Sequence, residues 1–322
     1  MKAVVADSAG GPESLKYIDC EQPKPAAGEA LVKLESIGVN FIDVYFRKGL
    51  YPAPEKPVRL GSEGAGVIVE TAANGKLKKG DRVAYAMARG SYAEYAAVPE
   101  KFLVKLPESV SFDDAAAAML QGMTAHYLTR STFPLNKQHT CLVHAAAGGA
   151  GLMIVQMAKI AGATVIGTCS TEEKARLVRE HGADHVIRYT ETDFVEETKR
   201  ITNSAGVDVV YDSVGKATFA KSLDCLKPRG LMASFGQSSG AVGEIDPLVL
   251  SQKGSLFLTR PSLAQYISDR AELEWRAKEM FEWIAAGKLK LWIYRKYKLA
   301  EAAEAQRDLE SRKTTGKLLL EP

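Results

Sequence analysis

Three glycines in the stretch LVHAAAGGAGLMIVQMAK, residues 142–159, raise the first chemical question. Gly148, Gly149 and Gly151 stand between an apolar run, Thr140 to Ala145, and a segment that repeats Ile154, Met157, Ala158 and Ala161 at helical spacing. A strand that turns tightly into a helix points unpaired backbone N–H groups at one spot, where the helix dipole favours an anion. The turn from 145 to 151, with Ala147 and Ala150 beside the glycines, therefore has the chemistry of a phosphate cradle. A plainer reading stays open. Glycines also let a helix pack close to a sheet, and the spacing is not G-x-G-x-x-G.

The discriminating position lies about 20 residues on, at the end of the next strand. Sites for a dinucleotide with a free ribose carry Asp or Glu there, which bonds the hydroxyls and would repel a 2′-phosphate. Here the text is VIGTCSTEEKARL, so Thr168, Cys169, Ser170 and Thr171 hold that place and no acid does. Ser170 offers a hydroxyl and Lys174 a cation to a 2′-phosphate, which favours NADPH over NADH. Ser170 and Glu173 also have the spacing of a capping box, and Lys174 is equally placed as a solvated helix residue. Tyr189, in VIRYTE, is placed for the adenosine side or for packing at the rim.

The elements that must position these residues are legible as two textures. Residues 1–120 read as mostly β, with strands at Ala30–Ile37, Gly66–Glu70, Arg82–Ala86 and Tyr92–Val98 between Gly- and Pro-rich turns. Prolines 52, 54 and 57 mark a surface loop suited to a cleft wall. From about 124 to 260, strands at 140–145, 164–168, 185–187, 207–211, 230–235 and 255–259 alternate with helices at 150–161, 172–181, 193–202 and 217–226. Such β-α alternation predicts a doubly wound parallel sheet. The chain then returns to helix at Glu272–Ala286 and Ala300–Ser311 and ends in GKLLLEP. A middle nucleotide-type domain, 124–263, is thus expected inside a domain built from 1–123 and 264–322, with the active site expected in the cleft between them.

Composition excludes several classes. The 322 residues carry 42 basic and 39 acidic side chains, a net charge of +3, which gives no general attraction for nucleic acid or anionic membrane. The apolar run in MKAVVADSAGG is too short for a signal peptide, and no window approaches about 18 apolar residues. A soluble, cytoplasmic protein is expected. Cys20, Cys141, Cys169 and Cys225 are scattered, with no C-x-x-C, so neither a disulfide nor a cysteine zinc site is expected. The five His residues form no motif with Cys, Ser or carboxylates; His144 reads as structural, and Asp212 as the organiser of its turn.

In order, GVNFIDVYFRKGLY, LGSEGAGVI, KKGDRVAY, GSYAEYAAVP, QGMTAHYL, VHAAAGGAGLMIVQMAK, VYDSVG and TTGKLLL resemble the medium-chain dehydrogenase/reductase superfamily. Within it, the chain is most similar to NADPH-dependent quinone oxidoreductases of the zeta-crystallin type, bacterial branch, over essentially its whole length. The resemblance implies an α/β chain, with a Rossmann doubly wound sheet inserted into a mostly-β GroES-like catalytic domain. Zinc alcohol dehydrogenases carry Cys where this chain has Asn40, G-H-E where it has Gly61-Ser62-Glu63, and a four-cysteine lobe that is missing after GDRV. A metal-free protein is expected, since catalytic zinc needs three protein ligands.

The resemblance also implies site residues. Asn40 and Tyr45 would sit by the nicotinamide and the substrate, Asn40 bonding a quinone oxygen or a water, and Tyr45 stacking on a ring, supplying a proton or simply packing. Tyr51 would line the pocket wall, and Gln121 and Thr124 would position the nicotinamide and its carboxamide or cap a helix. Ser213, Phe235, Gly236, Gln237 and Ser238 would approach the ribose and nicotinamide. Leu258, Arg260 and Pro261 would line the nicotinamide side, and Arg312 would reach the cofactor from the terminal segment. The implied activity is quinone reduction by NADPH. The alternatives are a 2-alkenal or enone reductase and a non-enzymatic NADPH- or RNA-binding protein, RNA being disfavoured by the charge balance. A homodimer through edge strands of the nucleotide domain, around Ser255 to Thr259, is implied as well.

Overall fold

The computed structural model describes residues 1–53, 55–72 and 77–322; Pro54 of the proline-rich loop lies outside the described residues. The chain forms two compact units. One comprises Met1–Met123, Ile267–Gly287 and Leu291–Pro322, and the other Thr124–Tyr266 with Lys288–Lys290.

The second unit is built on a six-stranded sheet whose spatial order is His185–Arg188, Thr164–Cys169, Thr140–Val143, Val207–Asp212, Leu226–Ser234 and Phe257–Thr259. Every pairing in it is parallel. In chain order this is 3-2-1-4-5-6, the doubly wound arrangement, with its switch point between Thr140–Val143 and Val207–Asp212. Val207–Asp212 is buried along its whole length, as expected of a strand covered on both faces. The helix Gly149–Ile160 buries every residue from Gly151 to Ala158. Apolar side chains buried this fully stabilise the fold by about 1.5–3 kcal/mol each.

The first unit carries a seven-stranded sheet. Its main path runs Ile293–Lys298, Lys317–Glu321, Glu29–Val39, Glu63–Thr71, Arg82–Ala86 and Val104–Lys105, and Tyr95–Pro99 also pairs with Glu29–Val39. A separate three-stranded sheet holds Leu15–Asp19, Lys2–Ala6 and Val58–Arg59. The core between sheet and helices includes Val32, Ile37, Ile68, Tyr85, Leu318 and Leu320.

Some boundaries differ from expectation for local reasons. The helix expected at 217–226 is α-helical only over Phe219–Ser222 and tightens to a 3-10 turn at Leu223–Cys225. The strand expected from 230 begins at Leu226, with an irregular register near Pro228 and Arg229, whose φ is +63°. Asp193 and Asp269 cap their helices, accepting from Val195 and Glu196 and from Glu272 respectively, and so set Phe194 and Arg270 as the first helical residues. The strand expected at Tyr92–Val98 is regular only over Tyr95–Pro99. Glu63–Thr71 begins three residues before the expected Gly66, which places Glu63 inside a buried strand.

Candidate functional site

The glycine turn sits at the switch point of the parallel sheet. N–H groups at its start are tied to both neighbouring strands: His144 N–H donates to Tyr211 O at 3.0 Å, and Ala146 N–H to Thr168 O at 3.0 Å. Ala145 turns the chain with φ +49°. Gly148 is the helix N-cap, and Leu152 N–H to Gly148 O, 2.9 Å, is the first intrahelical bond. The first-turn N–H groups of Gly149, Ala150 and Gly151 therefore lie outside intrahelical pairing. A Cβ on Gly151 would come 2.4 Å from Ala145 O and 2.8 Å from Ala146 Cα. Close packing and phosphate cradle thus use the same glycines, and neither reading displaces the other.

Beyond the next strand, Ser170 is half-buried, and it is not the helix cap. Thr171 caps instead, its hydroxyl accepting from Lys174 N–H at 3.3 Å. The capping-box expectation for Ser170 is corrected, because the extended residue before the helix is Thr171, with φ −131° and ψ 159°. Lys174 stands half-buried on the first helical turn, its pKa held below the ordinary value chiefly by burial. Tyr189 follows His185–Arg188 and is 49% exposed, so it does not pack in the core.

Two loops at the ends of the next strands are joined. Phe235 N–H donates to Asp212 O at 2.8 Å and Ser238 N–H to Ser213 O at 3.1 Å. A Cβ on Gly236 would lie 2.6 Å from Ser213 O, so this approach needs glycine. Ser213, Phe235, Gly236, Gln237 and Ser238 thereby form one half-buried cluster. Asp212 organises its turn, accepting from Val214 N–H at 2.6 Å and Thr218 Oγ1 at 2.7 Å. Leu258, in the edge strand, is half-buried; after the strand Pro261 is buried, while Arg260 donates to Ser234 O at 3.0 Å. His144 is a buried structural residue. Ser222 Oγ donates to Thr218 O, so His144 Nε2–H donates to Ser222 and Nδ1 accepts from Thr168. Thr124 is buried in the same unit.

In the first unit, the helix Phe41–Arg47 starts at Asn40, whose N–H donates to Asp43 Oδ2 at 3.0 Å. Tyr45, buried on this helix, meets Tyr51 with ring centroids 5.2 Å apart. The structure also brings Asn40 and Gln121 together, with Gln121 Nε2 donating to Asn40 Oδ1 at 3.2 Å. Arg312, by contrast, is exposed on a turn with φ +61°.

Sequence reasoning missed the charges around Asn40. Lys317 Nζ donates to Glu63 Oε2 at 2.5 Å and to Asn40 Oδ1 at 2.8 Å, and all three side chains are buried. Asn40 Nδ2 donates to Glu63 Oε2 at 2.8 Å and to Gly38 O at 3.3 Å. Leu120 N–H gives Glu63 Oε1 a further bond of 2.5 Å. The Asn40 amide is thus filled by protein partners, and the bond expected from it to a substrate oxygen would have to displace one of them. Burial holds Lys317 below its ordinary pKa, opposed by the Glu63 charge. Asp43 accepts from Ser62 Oγ at 2.8 Å, yet burial pushes its carboxyl up to about 7. A signal was available: GKLLL and SEGAGV each set one charge in an apolar strand, and buried charges are rarely alone.

Gln121 Oε1 is buried without a hydrogen-bond partner. Leaving such an acceptor unpaired costs about 1–3 kcal/mol, which a ligand N–H or O–H would offset. Each feature by itself calls for a ligand group: this acceptor for a donor, and the glycine turn of the second unit for an anion. Zinc does not fit. It needs three ligands from Cys, His or carboxylate, and among the described residues no three such groups gather. Around Glu63 stand an amide, a hydroxyl-bearing neighbour and an ammonium.

Two family models match the chain: an alcohol dehydrogenase GroES-like domain over residues 26–108, and a zinc-binding dehydrogenase over residues 149–282. Quinone oxidoreductase of Pseudomonas aeruginosa is 46% identical over 315 residues, covering 97% of each chain. The 2-haloacrylate reductase of a Burkholderia species is 40% identical, covering 99% of this chain and 98% of its own. The crystal structure of Escherichia coli quinone oxidoreductase complexed with NADPH superposes with a TM-score of 0.98 at 45% identity, covering both chains completely. With this fold, and with such identity along nearly the whole of both chains, the protein belongs to the quinone oxidoreductase family of the medium-chain dehydrogenases/reductases.

Proposed function

We propose that this chain reduces quinones with NADPH and without a metal ion. The observation that carries the reading is the 46% identity to a quinone oxidoreductase over nearly the full length of both chains. When bound, NADPH supplies the hydride, and a quinone's conjugated ring accepts it without the Lewis acid that a simple ketone requires.

The residues then divide the work. The first-turn N–H groups at 149–151, with Ala147 and Gly148 beside them, hold the pyrophosphate. Ser170 and Lys174 hold the 2′-phosphate, and Tyr189 lies against the adenosine. Ser213 and the 235–238 loop hold the ribose, while Leu258, Arg260 and Pro261 wall the nicotinamide side and Arg312 reaches the cofactor. Gln121 and Thr124 orient the carboxamide. Tyr45 and Tyr51 provide the aromatic wall for the quinone, and Tyr45 or water returns a proton to the quinol oxygen.

Steady-state loss of NADPH absorbance tests the reading, using chelator-treated protein with benzo-, naphtho- and phenanthrenequinones and with 2-alkenals. Turnover with quinones supports it. Turnover with 2-alkenals or 2-haloacrylates alone transfers the assignment to reduction of an activated carbon–carbon double bond, a reading favoured by the 40% identity to 2-haloacrylate reductase. Tight NADPH binding without turnover points to a sensor.

The proposal extends to a homodimer and to the cytoplasm. Phe257–Thr259 is the edge of the parallel sheet and Phe257 is 61% exposed, so a second copy there would cover both open backbone groups and an aromatic ring. Among the described residues no helix is long and apolar enough to cross a membrane. Sedimentation of the wild type beside Phe257→Lys reads the dimer: it predicts a fall from two chains to one.

A further inference from the structure

The buried cluster around Asn40 fixes more than its own geometry. An ammonium only donates and a carboxylate only accepts. Lys317 Nζ lies 2.8 Å from one end of the Asn40 amide and Glu63 Oε2 lies 2.8 Å from the other, so the first must be Oδ1 and the second Nδ2. Reversing the amide would set donor against donor and acceptor against acceptor. Asn40 Oδ1 is in turn 3.2 Å from the Gln121 amide, whose near atom must therefore be the donor Nε2. The far atom is then Oε1, the buried acceptor without a partner.

The backbone is shaped for this arrangement. A Cβ on Gly38 would fall 2.1 Å from Glu63 Oε2 and 2.6 Å from Ala116 O, so only glycine leaves room for the carboxylate. Lys317–Glu321 pairs with Glu29–Val39 in the register Leu318↔Val39, which sets Lys317 beside the residues that follow Val39.

We propose that Lys317 and Glu63 are positioning residues that orient Asn40 and, through it, Gln121, so that the site presents a fixed acceptor and selects a ligand group that donates a hydrogen bond. This inference rests on the quinone reductase reading for its ligands, which offer such a donor in two places: the carboxamide N–H of NADPH and the hydroxyl of the quinol product. The acceptor takes one of them, and binding measurements distinguish which. One arm compares the dissociation constants of NADPH and of its 3-acetylpyridine analogue, which lacks the amide donor. The other compares a hydroquinone with its dimethyl ether.

Wild-type protein is expected to prefer the donor-bearing ligand about tenfold in one arm, the value of a buried hydrogen bond of about 1.4 kcal/mol. Gln121→Met and the double variant Lys317→Met/Glu63→Gln should both bring that preference to within about twofold. The double variant removes both charges of the ion pair, so Glu63 is not left charged and alone, and thermal melting checks that it folds. A merely structural role for the pair would weaken all ligands alike and leave the ratio intact. The inference is overturned if the wild type shows no preference in either arm, or if the preference survives in the double variant. Wild-type protein that binds NADPH without discrimination defeats the relay alone; protein that binds neither NADPH nor hydroquinone defeats the functional reading with it.

Discussion

The two regions that carry the candidate chemistry are built from different material. The proposed phosphate cradle of the second unit is backbone: a run of seven residues, 145–151, whose glycines expose N–H groups and admit a helix to within contact of Ala145 and Ala146. The Asn40 cluster of the first unit is side chain: Asn40, Glu63, Gln121 and Lys317 come from four separate elements, with Lys317 and Glu63 254 residues apart. Backbone sites tolerate almost any side chain that stays out of the way, but not an added Cβ. Side-chain sites fail by losing a partner. The contrast orders the effects of mutation.

The largest effect is expected in the side-chain cluster. Lys317→Met leaves Glu63 charged and buried, which costs about 3–5 kcal/mol of stability, read by chemical denaturation. Replacing both members of the pair should recover most of that loss. If the single variant is as stable as the wild type, the cluster is not a charged pair.

In the cradle, Gly151→Ala is expected to cost about 1–3 kcal/mol through overpacking and to weaken NADPH binding by a comparable factor, since the helix must withdraw from Ala145. Titration of cofactor fluorescence reads the second effect. Unchanged binding would mean that the N–H groups here do not hold the phosphates.

Lys174→Ala sharpens the comparison, because it touches neither backbone cradle nor buried cluster. It should lower the preference for NADPH over NADH about tenfold, as expected for one charge-assisted bond to a phosphate. Affinity for NADH itself should stay near the wild-type level. An equal loss for both cofactors would assign Lys174 a general role.

A pH effect separates the units further. Burial holds His144 below its ordinary value of 6.5, between Thr168 and Ser222. As the pH falls below 6.5, the unfolded chain takes up a proton that the folded His144 refuses, so stability falls with acidification. His144→Asn should flatten that part of the stability profile. A slope that persists would place its origin elsewhere.

The smallest effect concerns adjacent hydroxyls. Thr171→Ala should cost about 1 kcal/mol as a lost N-cap, whereas Ser170→Ala should leave the melting temperature unchanged and weaken only the grip on the 2′-phosphate.

Legibility followed the same division. The parallel sheet and the glycine turn could be read because strand, turn and helix signals are local, each carried by a few neighbouring residues. The S-x-x-E spacing offers Ser170 as a cap, Thr171 beside it is chemically alike, and only the backbone angles at Thr171 decide between them. The helix expected at 217–226 was too long because apolar spacing continues through Leu223 and Cys225, where the backbone tightens instead. Lys317 could not be placed from spacing at all, since its partners arrive through sheet register. What the sequence did offer was a lone cation and a lone carboxylate in two apolar strands.

The most direct test of the account is a single anaerobic turnover: metal-analysed, chelator-treated protein mixed with limiting NADPH and excess quinone, followed by NADPH absorbance and quinol yield. Complete loss of NADPH is expected, with one quinol formed for each NADPH consumed, unchanged when zinc is added. No loss of NADPH, or loss that begins only once zinc is supplied, would overturn metal-free quinone reduction.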